Sequence, residues 1–233
     1  MRINCDLGEI NTLAFDKQIM PYVDIVNIAL GAHAGSPERA QKLFEYCLEY
    51  QKTPTAHIGY KDRENFGRVE HNWSPALIKS QVIEQLQILP DLKVVKFHGA
   101  LYNRLNIDSL LAEGVYTTLK SYGVEVVIAP LDSVQNTMAK SKGIQVWTEV
   151  FGERTYWWDN AKPVLSPRSW EKAEISDLKI AYLQCKQLLN EQAIAIWNPE
   201  TEVWIHSILR GDTICIHGDS PIALKLLKKL QTK

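Results

Sequence analysis

Short runs rich in valine and isoleucine alternate with helical segments along the whole chain, and this alternation restricts the fold more than any other feature. The predicted strands are Ile3–Cys5, Ile25–Ala29, Pro54–His57, Val94–Phe97, Val124–Ala129, Gln145–Glu149 and Thr213–Ile216. Runs such as residues 124–129 are apolar at almost every position, which is typical of parallel strands that are covered on both faces. The repeated order of strand, helix and strand predicts one parallel sheet with right-handed crossovers.

Serine followed by proline marks the start of several of the intervening helices. Ser36-Pro37, Ser74-Pro75 and Ser220-Pro221 each place a capping hydroxyl before a proline at the first helical position. Further helices are predicted after Asp108 and near Asp177–Asn190.

A closed barrel is favoured over an open sheet. The first strand is not followed by GxGxxG, so an open dinucleotide-binding sheet has no fingerprint here. Polar residues recur at the ends of the strands, as they do on the active face of a barrel. We therefore predict an α/β fold with a seven-stranded parallel β/α barrel, one domain over residues 1–233, with an inserted excursion around residues 151–211.

Composition excludes several classes of function. The net charge is -1 and the sequence contains no long basic block, so we expect no nucleic-acid partner. No apolar run is long enough for a membrane span, and residues 1–6 lack the apolar core of a secretory signal. The four cysteines are scattered without a CxxC pair, as in proteins of a reducing compartment. We expect a cytoplasmic protein.

Ionisable side chains lie at the carboxyl ends of most predicted strands. They are Asp6, His33, His57, His98, Glu149 and His217. Because the carboxyl ends of parallel strands open on one face of a barrel, we expect these side chains to lie together. His71 and His206 fall in loop-like or inserted segments and are expected outside this group.

Lys96 is predicted to lie inside the barrel. Residues two apart in a strand point the same way, so Lys96 lies one layer below His98. A buried ammonium is costly unless a carboxylate pairs with it, and Asp6 and Glu149 are the partners at hand. Such a polar cluster is more typical of a site than of a filled core.

Two of the strand-end histidines come just before predicted helix starts. His33 precedes Ser36 and His217 precedes Ser220, and helix N-termini favour anions such as carboxylate or phosphate. Asp6, His33 and His57 also have the ligand types of a two-histidine, one-carboxylate metal centre, although no motif in the sequence requires a metal.

The chain resembles the LamB/YcsF family over almost its whole length. The segments that carry the resemblance are residues 3–9 (INCDLGE), 27–35 (NIALGAHAG), 56–60 (AHIGY), 66–68 (FGR), 95–103 (VKFHGALYN), 149–156 (EVFGERTY), 166–169 (SPRS) and 212–219 (DTICIHGD). It departs from the family pattern at Ser36, Ile58 and Phe97, where Asp, Pro and Pro are usual.

The resemblance implies a barrel of the glycoside hydrolase/deacetylase superfamily and one component of a bacterial 5-oxoprolinase. Such a component works with B and C subunits to open 5-oxo-L-proline to L-glutamate, with ATP as co-substrate and Mg²⁺ accompanying it. No tightly bound cofactor is expected. The departures beside the expected site leave room for a different substrate.

The resemblance and the residue types together suggest roles for the candidate site. The expected catalytic residues are Asp6, His57, Lys96, His98 and Glu149, and the expected substrate-binding residues are Asn4, Glu9, His33, Tyr102, Asn103, Arg154, His217 and Asp219. Two alternatives remain open. One is a metal-dependent amide or N-acetyl hydrolase that needs no ATP, and the other is a non-catalytic partner that binds the substrate.

Overall fold

Seven parallel strands close into a barrel in the computed structural model, which describes residues 1–10, 12–159, 162–198 and 201–232. The barrel strands are β1 (Arg2–Leu7), β2 (Ile25–Ala29), β3 (Thr53–Ile58), β4 (Val94–Phe97), β5 (Val126–Pro130), β6 (Gln145–Phe151) and β11 (Thr213–His217). The order around the barrel is β1-β2-β3-β4-β5-β6-β11, and β11 pairs with β1 to close it. The predicted seven-stranded parallel barrel is confirmed.

Helices follow most of the barrel strands. They are α1 (Leu13–Ile19), α2 (Pro37–Glu49), α3 (Pro75–Leu86), α4 (Gly99–Leu105), α5 (Ser109–Ser121), α6 (Val134–Ser141), α7 (Leu178–Glu191) and α8 (Ala223–Gln231). Of the described helices, none is long and apolar enough to cross a membrane.

The predicted helix caps are confirmed in two cases and wrong in one. The hydroxyls of Ser36 and Ser74 accept backbone N–H bonds at the starts of α2 and α3. The prediction for Ser220 is wrong, because α8 begins at Ala223 and the N-cap residue is Ile222. The backbone N–H of Ser220 instead bonds the His217 carbonyl at 3.2 Å in a turn that follows β11.

Two strand ends differ from the prediction. β5 begins at Val126, because the backbone N–H of Glu125 bonds the Lys93 carbonyl ahead of the sheet ladder. β6 continues past Glu149 to Phe151, because its register with β11 runs on to Cys215.

The segment between β6 and β11 contains two hairpins around α7. Their strands are β7 (Tyr156–Asp159) with β8 (Lys162–Leu165), and β9 (Ala193–Asn198) with β10 (Val203–Ile208). The sequence predicted the helix near Asp177–Asn190 but not the hairpins, which pair only with themselves.

Apolar residues fill the lower barrel and leave its upper part polar. Ile25, Val94, Val126 and Ile128 form a buried cluster of their own. Ile25 lies two residues before Asn27, and Val94 lies two residues before Lys96, so each apolar side chain shares a face with the polar one above it. The barrel interior therefore changes from apolar to polar toward the carboxyl ends of the strands.

Candidate active site

The Lys96 ammonium lies at the centre of the upper barrel, between two carboxylates. Its Nζ is 3.0 Å from Asp6 Oδ1 and 2.8 Å from Glu149 Oε1, and the three side chains are almost fully buried. Nζ also lies 3.1 Å from Asn4 Oδ1 and 3.1 Å from Cys215 Sγ. The predicted pairing of Lys96 with both acids is confirmed.

The charges of this cluster reinforce one another. Burial would raise the pKa of the Asp6 carboxyl, but the Lys96 ammonium, with His57 and His217, holds that pKa well below its usual value. Burial would lower the pKa of Lys96, but Asp6, Cys215 and Glu149 raise it well above the usual value. Both groups are therefore charged at neutral pH.

Amide and hydroxyl side chains hold the two carboxylates in place. Asn27 Nδ2 donates to Asp6 Oδ1 and to Asn4 Oδ1, both at 2.7 Å, and Asn4 in turn donates to Thr213 Oγ1 at 2.9 Å. The Tyr102 hydroxyl donates to Glu149 Oε2 at 3.3 Å. Burial and the Glu149 charge raise the pKa of Tyr102 well above its usual value, so the hydroxyl keeps its proton.

A second cluster, formed by Glu9, His33, His57 and His98, lies beside the first. Glu9 Oε1 is 3.1 Å from His33 Nε2, 3.6 Å from His57 Nε2 and 3.3 Å from His98 Nδ1. The rings of His33 and His98 stack with their centroids 3.9 Å apart, and His57 meets both rings edge-on. We call these four residues the histidine cluster.

Burial sets the charge of the histidine cluster. Burial, with His57 beside it, lowers the pKa of His33 well below its usual value, and burial with His33 and His57 does the same to His98. Burial, with Asp6 and Asp219 nearby, raises the pKa of the Glu9 carboxyl. His33 and His98 are therefore neutral imidazoles at neutral pH.

Glycines allow the loops to approach this cluster closely. A Cβ added at Gly59 would lie 2.6 Å from His33 Nδ1, and one at Gly67 would lie 2.8 Å from His33 Cβ. Gly67 and Gly99 also have φ values of +64° and +58°, a region that side chains rarely adopt.

His217, at the end of β11, is oriented by Glu153. Its Nδ1 contacts Glu153 Oε1, and its backbone N–H bonds the same oxygen at 2.8 Å. Its Nε2 lies 3.0 Å from an Arg168 Nη and 3.9 Å from Asp6 Oδ2. Because a guanidinium only donates, Nε2 is the acceptor and Nδ1 carries the proton.

Sequence reasoning missed Glu153 because it follows β6 in an irregular stretch, where no strand pattern fixes its direction. The same carboxylate is buried, and its Oε2 has no hydrogen-bond partner among the described residues.

A cavity of about 760 Å³ opens above both clusters. The ionisable residues that line it are Asp6, His57, Lys96, His98, Glu149, Arg154, Arg168 and His217. Apolar residues of the loops and of the β7–β8 hairpin form other parts of its wall, among them Ile107, Leu131, Phe151 and Val164. The wall is thus apolar in part, while acids, a lysine and histidines converge at one region of it.

Several other predicted residues lie at the edge of this cavity or away from it. Asn103 lines the wall beside Tyr102. Asp219 accepts a bond from Arg68 at 2.8 Å. His71 pairs with Asp62 and stacks on a tryptophan, and His206 lies exposed on β10, so neither joins the group at the strand ends.

Arg154 is committed to its own chain segment more than the sequence suggests. Its Nε donates to the Ala173 carbonyl at 3.0 Å, and an Nη donates to the Ser166 carbonyl at 2.5 Å. Burial, with Arg168 nearby, lowers its pKa to about 10. These bonds tie the excursion together beside the cavity.

The ligand-type residues fall into two groups that differ from the predicted Asp6, His33 and His57. One group is the histidine cluster, in which Glu9 takes the place expected for Asp6. The other contains Asp6, Cys215 and His217.

Comparison with known proteins gives consistent matches. The model of the LamB/YcsF family matches residues 1–233. The A subunit of 5-oxoprolinase from Tolumonas auensis is 33% identical over 98% of this chain and 93% of its own length. The A subunit of 5-oxoprolinase from Campylobacter jejuni subsp. doylei is 32% identical over 98% of this chain and 91% of its own length.

A solved structure has the same fold. The crystal structure of a lactam utilization protein from Thermus thermophilus superposes with a TM-score of 0.84 at 27% identity. The match covers 99% of this chain and 95% of that protein.

Proposed function

Since the chain belongs to the LamB/YcsF family, we propose that it is the A subunit of an ATP-dependent 5-oxoprolinase, which opens the lactam of 5-oxo-L-proline to L-glutamate. The names of the relatives and of the solved structure support this proposal. The observation that carries it is the buried Lys96 ammonium between Asp6 and Glu149 at the base of the cavity.

The chemistry explains why such a cluster is useful. A lactam is a stable amide, so its carbonyl carbon must be activated before water attacks. Transfer of the γ-phosphoryl group of ATP to the lactam oxygen releases ADP and makes that oxygen a leaving group. Attack by water then releases phosphate, and the ring nitrogen takes a proton as the carbon–nitrogen bond breaks, which gives L-glutamate.

The residues of the first cluster match the charges that develop in this sequence. Lys96 neutralises the anionic oxygens on the reacting carbon, which is most effective in a site that excludes water. Asp6 or Glu149 accepts a proton from the attacking water. Tyr102 holds Glu149 in position through its hydroxyl.

His217 is a further proton carrier in this proposal. Glu153 fixes the ring, so that Nε2 presents a lone pair 3.9 Å from Asp6 Oδ2. A water molecule bonded to both atoms would be held by a carboxylate and an imidazole together. Arg168, beside the same nitrogen, supplies positive charge for the substrate carboxylate or the phosphate.

The test is turnover in a reconstituted complex. Glutamate and ADP release from 5-oxo-L-proline and ATP would be measured with this chain alone and with candidate B and C subunits. The proposal predicts that both products appear in equal amounts, and only when the partners are present. If no combination produces glutamate, the proposed substrate is wrong.

An ATP-independent amide hydrolase is the second candidate. The histidine cluster favours it, because buried imidazoles beside a carboxylate are typical ligands of a hydrolytic metal. Release of glutamate or another amide product without ATP would support this candidate and would contradict the first.

A further inference from the structure

The histidine cluster contains two ring nitrogens whose protons are fixed by backbone carbonyls. His57 Nδ1 lies 3.3 Å from the Lys96 carbonyl oxygen, and His98 Nε2 lies 2.9 Å from the Phe66 carbonyl oxygen. A carbonyl oxygen only accepts hydrogen bonds, so each of these nitrogens carries a hydrogen.

The other nitrogen of each neutral ring is therefore a lone-pair acceptor. These atoms, His57 Nε2 and His98 Nδ1, face each other at 3.0 Å. Two acceptors cannot bond each other, and both rings are buried, with exposed fractions of 1% and 5%. Buried acceptors without a donor cost free energy, so the arrangement calls for something positive between them.

Two more acceptor groups point to the same place. Glu9 Oε1 lies 3.3 Å from His98 Nδ1 and 3.6 Å from His57 Nε2, and His33 Nε2 lies 3.1 Å from the same oxygen. Ligands bonded to zinc at about 2.1 Å lie about 3.4 Å apart in a tetrahedron. The spacings found here, 3.0 to 3.6 Å, match that geometry.

We propose that Glu9, His33, His57 and His98 bind one divalent transition-metal ion of the zinc class. Three imidazoles and one carboxylate suit such an ion better than Mg²⁺ or Ca²⁺, which prefer oxygen ligands. The Lys96 and Phe66 carbonyls act as the outer partners that fix the orientation of two of the ligating rings.

The neighbouring group of Asp6, Cys215 and His217 does not share this property. The Lys96 ammonium lies 3.0 Å from Asp6 and 3.1 Å from Cys215, so this group already contains a cation. Among the described residues, Glu9 has no lysine or arginine ion-pair partner. The positive charge that the histidine cluster needs is therefore supplied from outside the chain.

This inference is independent of the substrate. A bound ion would supply a Lewis acid beside the cavity. With their lone pairs bound to it, His57 and His98 are not proton carriers, and the proton transfers of the proposed reaction belong to Asp6 or Glu149 and to His217.

Metal binding is tested on the untagged full chain after treatment with a chelator. Co²⁺ is titrated in, and the visible absorption of the bound ion is recorded, while zinc content after reloading with Zn²⁺ and dialysis is measured by mass spectrometry. We expect one equivalent of either metal per chain, and the absorption bands of a four-coordinate Co²⁺ site. No bound equivalent would overturn the proposal and would indicate a proton shared by His57 and His98.

The variant that tests the ligands preserves the backbone contacts. His57→Asn keeps a donor near the Nδ1 position, and His98→Gln keeps one near the Nε2 position, while both lone pairs that face the cluster are removed. The double variant is expected to bind Co²⁺ more than about 100-fold more weakly. His206→Asn, in the exposed hairpin, is the control and should bind like the unmodified chain. Equal binding by all three proteins would place the metal elsewhere and overturn the proposal.

Discussion

Replacing Lys96 by methionine is expected to destabilise the fold strongly. The change keeps most of the side-chain volume but removes the ammonium that contacts Asp6 at 3.0 Å and Glu149 at 2.8 Å. Removing one partner of a buried ion pair leaves uncompensated charge, and such changes cost about 3–5 kcal/mol. We expect Lys96→Met to lower the free energy of unfolding by that amount at pH 7.

The dependence of this loss on pH gives it a distinctive sign. In the unmodified chain the pKa of Asp6 is lowered, so its contribution is present above the unfolded pKa of about 3.9 and is lost as the pH falls through the lower folded pKa. In the variant, burial acts without the ammonium and raises the pKa of Asp6. The difference in stability should therefore be largest near neutral pH and should shrink below about pH 5 as the carboxylates take up protons.

Urea unfolding followed by tryptophan fluorescence measures both effects. The matched control is Lys61→Met, because Lys61 makes an exposed pair with Glu84 at 2.9 Å. That change should cost less than about 1 kcal/mol. A loss for Lys96→Met no larger than for the control, or one that does not vary between pH 5 and pH 8, would refute the reasoning.

Two further variants test the packing of the site and the hold on Glu149. Gly99→Ala should destabilise the fold by about 1–3 kcal/mol more than Gly143→Ala in urea unfolding. Both glycines have positive φ, but a Cβ at Gly99 would lie 2.4 Å from the Gly67 carbonyl oxygen, whereas a Cβ at Gly143 would lie 3.8 Å from Lys120 Nζ; equal losses would show that the backbone gives way. Tyr102→Phe removes one hydrogen bond to Glu149 and should lower kcat of the reconstituted complex about fivefold with KM little changed, and an unchanged kcat would mean that the hydroxyl has no part in positioning the acid.

The sequence predicted the first cluster because strand periodicity fixes directions. Lys96 and the ends of β1 and β6 all lie in regular strands, so alternation placed their side chains inside the barrel. The same argument identified the four histidines at the strand ends. It did not identify Glu9 as the carboxylate of the histidine cluster, because Glu9 follows β1 in a turn whose path depends on the close packing of Gly8 and Gly35.

The excursion was harder to predict than the barrel. The β9–β10 hairpin leaves Trp197 and Trp204 substantially exposed, so its strands lack the apolar runs that marked the barrel strands. Glu153 lies in the irregular stretch between β6 and β7, and only the fold brings it to His217. A helix start at Ser220 was expected from a local motif, but the turn after β11 uses that serine instead.

The central claim is that the cluster at the barrel mouth carries out the lactam chemistry, and Asp6→Asn tests it most directly. Asparagine keeps the shape and the oxygen that accepts from Asn27 and Lys96, but removes the charge. Glutamate release by the reconstituted complex should fall by about 10²- to 10⁴-fold. Asp24→Asn, an exposed residue that bonds the Ile3 backbone before β2, should change the rate by less than about twofold. A folded Asp6→Asn complex that releases glutamate as fast as the unmodified one would contradict the account.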